Sequence, residues 1–358
     1  MNNDYNLNAK LDLIRQSEGK GFVADENSLL LAFQRIEEDK SGLAIKVLSI
    51  AGGFLATISF IGFLLVAGLY DSKMGLIIFG IVFIAGAVWI NKRFELQILD
   101  TSVIAVYIIG FCLLAFGVSH FKVDKNILPV LFVIISAVSI NITQRYILSF
   151  ISILIINGSI LLLIVINDAF NLVHLYNVVI TLCLTYCFLK EAKLISTSTK
   201  LSRLYDPLRS ALLFSLLAGL AFVGKRGIVK MDTEFIWLSS LIIIPAVLYL
   251  VFLVINILHV DDPKRKMIIY GFSILLLMPT ASGPAIPGSL LMILLCFYVN
   301  YKTGFVISII AFIYFVGQYY YDLNFSLLTK SLLLFSTGVL FIIVFLFTSK
   351  KLRADEKY

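Results

Sequence analysis

Apolar residues in this chain come in long runs broken by short charged or glycine- and proline-bearing stretches. A helix needs about 20 apolar residues to cross a hydrocarbon core. On that measure the pattern predicts about twelve spans, at 47–69, 74–91, 101–119, 126–141, 146–166, 171–189, 208–224, 235–258, 267–280, 285–300, 303–321 and 331–348. Those at 126–141, 267–280 and 285–300 are short and read as tilted or half-crossing segments. The predicted fold is all-α, a polytopic helical membrane bundle. Residues 1–46 are polar and mixed in charge. Leu7, Leu11 and Ile14, then Leu29, Leu30, Phe33 and Ile36, recur there at helical spacing and predict two short amphipathic helices.

Composition strengthens this picture. The chain is 60% hydrophobic and only 14% charged, which leaves too few charges to cover so much apolar surface in water. The net charge of +7 does not point to nucleic acid, because the cations sit between the apolar runs and at the chain ends. With the N-terminus placed in the cytoplasm and twelve crossings, 22 of the 29 Lys and Arg fall on the cytoplasmic side and 7 outside. Positive charge orients membrane proteins in this sense. The reading is therefore a multi-pass protein of a bacterial inner membrane with both ends cytoplasmic. Its membrane domain spans 47–348, with possible halves 47–189 and 208–348 joined by a cytoplasmic connection at 190–207, and a tail at 349–358. No internal repeat relates the halves.

Candidate chemistry is sparse. Cys112, Cys183, Cys187 and Cys296 all lie inside apolar runs, where packing is the expected role. No metal-ligand, phosphate-loop or nucleophile motif is present, and no cofactor is implied. A membrane enzyme acting on lipid or glycan would have to use residues near span ends, such as His120, Asp124, His259 and Asp261. Two local features stand out. The break Pro279–Gly288 holds Gly283, Pro284, Pro287 and Gly288 and reads as a tight turn between two short spans, or as unwound backbone lining a site. The stretch from Gln318 to Ser331 holds Tyr319, Tyr320 and Tyr321 at the end of a span, then Asp322 and Lys330, which are placed to pair across a short loop. Tyrosines there suit a membrane interface and offer a docking edge.

Pro287-Gly288 with the apolar run after it, Tyr319–Tyr321, Leu327-Leu328, Lys330-Ser331 and Gly338 together resemble a family of bacterial membrane proteins, domain of unknown function 4401, best over 284–348. The family pattern has acidic residues near Asn324 and Thr329, where this chain departs from it. The resemblance implies an inner-membrane protein with no known reaction. It also implies a partner, a small membrane-anchored protein with a GDYxxLxY motif. The leading expectation is a non-enzymatic membrane component working with that partner. The alternative is a transporter or channel for a small neutral or lipid-like solute.

Overall fold

The structure is a computed structural model. It describes residues 72–93, 97–121, 123–224, 237–257 and 262–322, with isolated positions at 52, 55, 59–60, 62–64, 66–68, 328, 331–332, 335, 339 and 342. The N-terminal unit, Met1–Phe63, lies almost wholly outside those residues. So do the predicted amphipathic helices, most of the spans at 47–69 and 331–348, the tail at 349–358, His259, Asp261 and Lys330.

The second unit, Leu64–Tyr358, is helical throughout its continuously described segments. Its helices are α1 (Lys73–Arg93), α2 (Gln97–Ser119), α3 (Ile127–Ile142), α4 (Tyr146–Ile166), α5 (Leu172–Leu189), α6 (Glu191–Thr197), α7 (Thr199–Gly224), α8 (Trp237–Ile257), α9 (Pro263–Leu277), α10 (Ala285–Tyr298) and α11 (Lys302–Asp322). Among the described residues seven helices are long and apolar enough to cross a membrane, and α3 and α10 are shorter apolar helices. The expected count of about twelve is not confirmed by these helices, and two of the predicted spans lie mostly outside the described residues. In particular, the predicted span at 267–280 divides into α9, which starts at the charged Pro263–Lys266, and a 3₁₀ turn at Met278–Ser282.

The connection expected at 190–207 is itself helical. α6 occupies one part, and α7 begins at Thr199, is capped by Ser198 Oγ accepting from Leu201 N–H at 3.1 Å, and continues through Pro207. Its Lys, Ser and Thr content hides the helix from a hydropathy reading.

Successive long helices run antiparallel, so polar residues collect at two ends. One end is basic. It carries Lys92 and Arg93 at the close of α1, Arg145 before α4, Lys190 and Lys193 around α6, Lys264–Lys266 in α9 and Lys302 in α11. Side-chain bonds between helices hold this end together: Thr143 Oγ1 donates to Asn91 Oδ1 at 2.9 Å, and Tyr146 Oη donates to Ser210 Oγ at 3.1 Å. The opposite end is tied by Asn126 and Asn167, whose amides exchange two bonds of 3.2 and 2.7 Å, and by His174 Nδ1 with Ser239 Oγ at 2.8 Å.

The interior has two apolar cores. α1, α2 and α4 build one, with Tyr107, Phe111, Leu114 and Leu148 fully enclosed and Phe132 of α3 against them. α5, α7, α8, α10 and α11 build the larger, around Leu184, Leu216, Ile243, Leu291 and Leu295. α4 contributes to both. Large apolar side chains on the outer faces, such as Ile78, Trp89, Ile310 and Ile313, are exposed, as expected of helices whose surroundings are lipid.

α1 and α2 approach each other through glycine. A Cβ on Gly80 would lie 2.9 Å from both Gly110 O and Leu114 N, and one on Gly110 would lie 3.0 Å from Gly80 O. Backbone atoms cannot yield as a side chain does, so this crossing requires residues without a Cβ. Gly80→Val is expected to cost on the order of 2 kcal/mol, read as a lower thermal midpoint of the detergent-solubilised protein than for Gly86→Val, where a Cβ meets nothing within 4 Å.

Candidate functional site

Three places bring chemistry together. The first lies at the basic end around Arg209. Hydropathy leaves this residue at the edge of a span, but it sits well inside α7 because the helix extends back to Thr199. Its guanidinium lies over the Tyr301 ring at 4.3 Å and over the Tyr205 ring at 5.3 Å. It pairs with Asp206 at 2.8 Å and with Glu191 of α6 at 3.8 Å. Ser210, one residue on, bonds Tyr301 Oη at 3.0 Å and accepts from Tyr146. One arginine thus clamps α6 and α7 to the α10–α11 turn, while Ser210 extends the same junction to α4. The Arg209 side chain is only 18% exposed, Asp206 is mostly exposed, and the ring faces supply much of the attraction. This arrangement holds helices together. The outcome expected of Arg209→Lys, which loses the planar stack but keeps the charge, is a loss of about 1 kcal/mol. The same change made in Tyr301→Leu should cost much less in thermal unfolding.

The second place joins the two features singled out from the sequence. The break is a compact turn: Met278–Ser282 forms the 3₁₀ turn, Gly283 closes it with its N–H on Thr280 O, and α10 begins at Ala285. Pro287 lies in the first turn of α10, where a missing N–H costs nothing. Tyr319 of α11 lays its ring against Gly283, with Cδ2 and Cε2 3.0 and 3.1 Å from where a Cβ would stand. The break and the tyrosine run therefore form one edge of the bundle. Tyr320 is half-buried and Tyr321 is 79% exposed. Pro284, Pro287 and Gly288 are buried. Gly288 belongs to packing, since a Cβ there would press into the Leu220 side chain of α7. The helix reaches Asp322, whose side chain and possible pairing with Lys330 lie outside the described residues.

The third place was not foreseen. α4 and α5 are joined by the turn 167–171 yet diverge from it, α4 packing on both α3 and α7 and α5 mainly on α7. Between them lies a groove of about 580 Å³, walled by Ile160, Leu163, Leu172, Leu175, Val179 and Ile180. Asn126 and Asn167 stand at one end of it, and Asn157 lines it from the middle of α4. A second groove of about 440 Å³, mostly apolar but with Lys92 and Ser139 in its lining, lies between α1 and α3. Among the described residues no three His, Cys, Asp or Glu side chains gather in a metal-binding group.

The model of one protein family, domain of unknown function (DUF4401), matches residues 42–351. The chain belongs to the DUF4401 family. The match covers every helix described above and reaches far beyond the 284–348 stretch that carries the sequence resemblance. No curated protein and no solved structure matches the chain. Membership of DUF4401 therefore names relatives without naming a reaction.

Proposed function

We propose that this DUF4401 protein is a non-enzymatic component of a bacterial inner membrane that works with a small membrane-anchored protein docked at the Tyr319–Tyr321 edge. Both chain ends and the basic end face the cytoplasm in this reading. The segregation of Lys and Arg to that end supports the orientation. The partner is of the kind the sequence resemblance implies, a short chain bearing a GDYxxLxY motif.

The observation that carries the reading is the contact between Gly283 and Tyr319. It fixes the first ring of the tyrosine run on a rigid turn and leaves Tyr321 projecting from the same edge. Aromatic rings held in place this way bind well because little side-chain freedom remains to be lost. A rigid aromatic edge at a membrane surface suits a partner whose own motif is rich in tyrosine and leucine.

The test is affinity purification of the tagged protein in mild detergent, with mass spectrometry of what stays bound. A small membrane-anchored protein is expected at near-stoichiometric amount. Tyr321→Ala should reduce it about tenfold, the loss of one aromatic anchor, without shifting the thermal midpoint. Gly283→Val should release it by displacing the Tyr319 ring. A protein that purifies alone from its native membrane, correctly folded, refutes the docking role.

A further inference from the structure

The groove between α4 and α5 is apolar along its walls but not throughout. Asn157 is 7% exposed and lies at mid-depth of the span. Its Nδ2 donates to Ile153 O at 2.9 Å within its own helix. No partner is recorded among the described residues for its Oδ1, on a side chain that lines the groove. An unmet acceptor at that depth is costly, because hydrocarbon offers it nothing. The groove also has direction. Its other amides, Asn126 and Asn167, lie at one end, about 15 Å from Asn157 at the rise of an α-helix. No Asp, Glu, Lys, Arg or His stands in its lining.

We infer that this groove binds a neutral bilayer lipid bearing a free hydroxyl, of the diacylglycerol type, entering sideways from the membrane and donating its hydroxyl to Asn157 Oδ1. The chemistry selects this occupant step by step. The walls suit a hydrocarbon chain, and about 580 Å³ falls within the range of small-molecule sites. The absence of charge in the lining disfavours a phosphate or ammonium headgroup, which would enter unpaired. An acceptor inside the groove calls for a donor, and a lipid hydroxyl supplies one. Leu172, Leu175 and Val179 are about half exposed along the mouth, so the groove opens to the side rather than to either end alone. The amide pair at Asn126 and Asn167 bonds to itself and closes the end of the groove at the membrane surface. The site is independent of the docking edge, which lies on α10 and α11.

The experiment uses the full chain in nanodiscs of a zwitterionic lipid, doped with a diacylglycerol carrying a diazirine on one acyl chain. Photolysis followed by peptide mass spectrometry should place most of the label on α4 and α5, around Leu163 and Val179. Val179→Trp, which fills the mouth at an exposed position, should cut that label about tenfold. Asn157→Leu should cut it similarly while leaving the thermal midpoint unchanged or raised. A probe whose hydroxyl is acetylated should label as weakly as the Asn157 variant does with the free alcohol. Even label over all outward-facing helices overturns the inference. So does label indifferent to acetylation, and so does capture of a protein chain by benzoylphenylalanine in place of Leu175. A Tyr321→Ala protein that loses its partner but keeps the label separates this site from the docking edge.

Discussion

Hydrocarbon supplies no hydrogen bonds, and that constraint shapes every part of this structure. Backbone groups are met inside helices, so the described segments are helical. Side-chain polar groups must find one another across helices, and they do so mostly near helix ends. Asn91 with Thr143, Tyr146 with Ser210 and Tyr301, Asn126 with Asn167, and His174 with Ser239 are such meetings. Deeper in the bundle, Asn177 Nδ2 reaches Gly219 O at 3.2 Å and Tyr107 Oη meets Ser152 Oγ at 2.9 Å. These bonds fix which helices are neighbours, a choice that apolar surface alone leaves open because lipid tails are as apolar as leucine.

Close backbone approach supplies the rest of the specificity. Gly80 and Gly110 let α1 and α2 touch, and Gly219 leaves room for the Asn177 amide and Tyr176 ring of α5 beside α7. Among the described residues no glycine contact or core amide bond draws α4 and α5 together, and they stand apart. Each is held to α7, by Tyr146 on Ser210 and by Asn177 on Gly219, so the space between them stays open along much of their length. The groove is thus a consequence of where the helix-to-helix bonds fall.

The spans were legible in the sequence because hydropathy registers them directly. The observed α1, α4, α5, α8 and α11 begin and end within a few residues of the predicted runs. The inward faces were not legible. A helix bathed in lipid is apolar all round, so periodicity does not separate packed from outward positions as it does in water. The start of α7 escaped for a related reason: Lys200, Ser202, Arg203, Asp206 and Pro207 read as a connection, yet they form the first turns of the helix that continues into the predicted span 208–224 and buries Tyr205. The sequence singled out the break and the tyrosine run separately. Their contact joins positions on different helices, which no local pattern encodes. Asn157 is a polar residue inside the predicted span 146–166, and only the divergence of α4 from α5 gives its carbonyl an open side.

The two ends of the bundle consequently differ in kind. At the basic end, Arg209 lies against aromatic rings and next to carboxylates, and Ser210 is bonded on both sides, so its polar groups are spent on holding helices. At the opposite end, Tyr321 projects and the α4–α5 groove opens below its amide pair. Charge is strong, long-ranged and unspecific, which suits it to orienting a chain in a membrane. Fixed aromatic rings and uncharged amides act only at contact, which suits them to selecting a ligand or partner. A protein that oriented itself and recognised its partner with the same cationic surface would expose that surface to every anionic lipid headgroup. The proposed docking edge lies at the end that is poorer in cations among the described residues, where that competition is weaker.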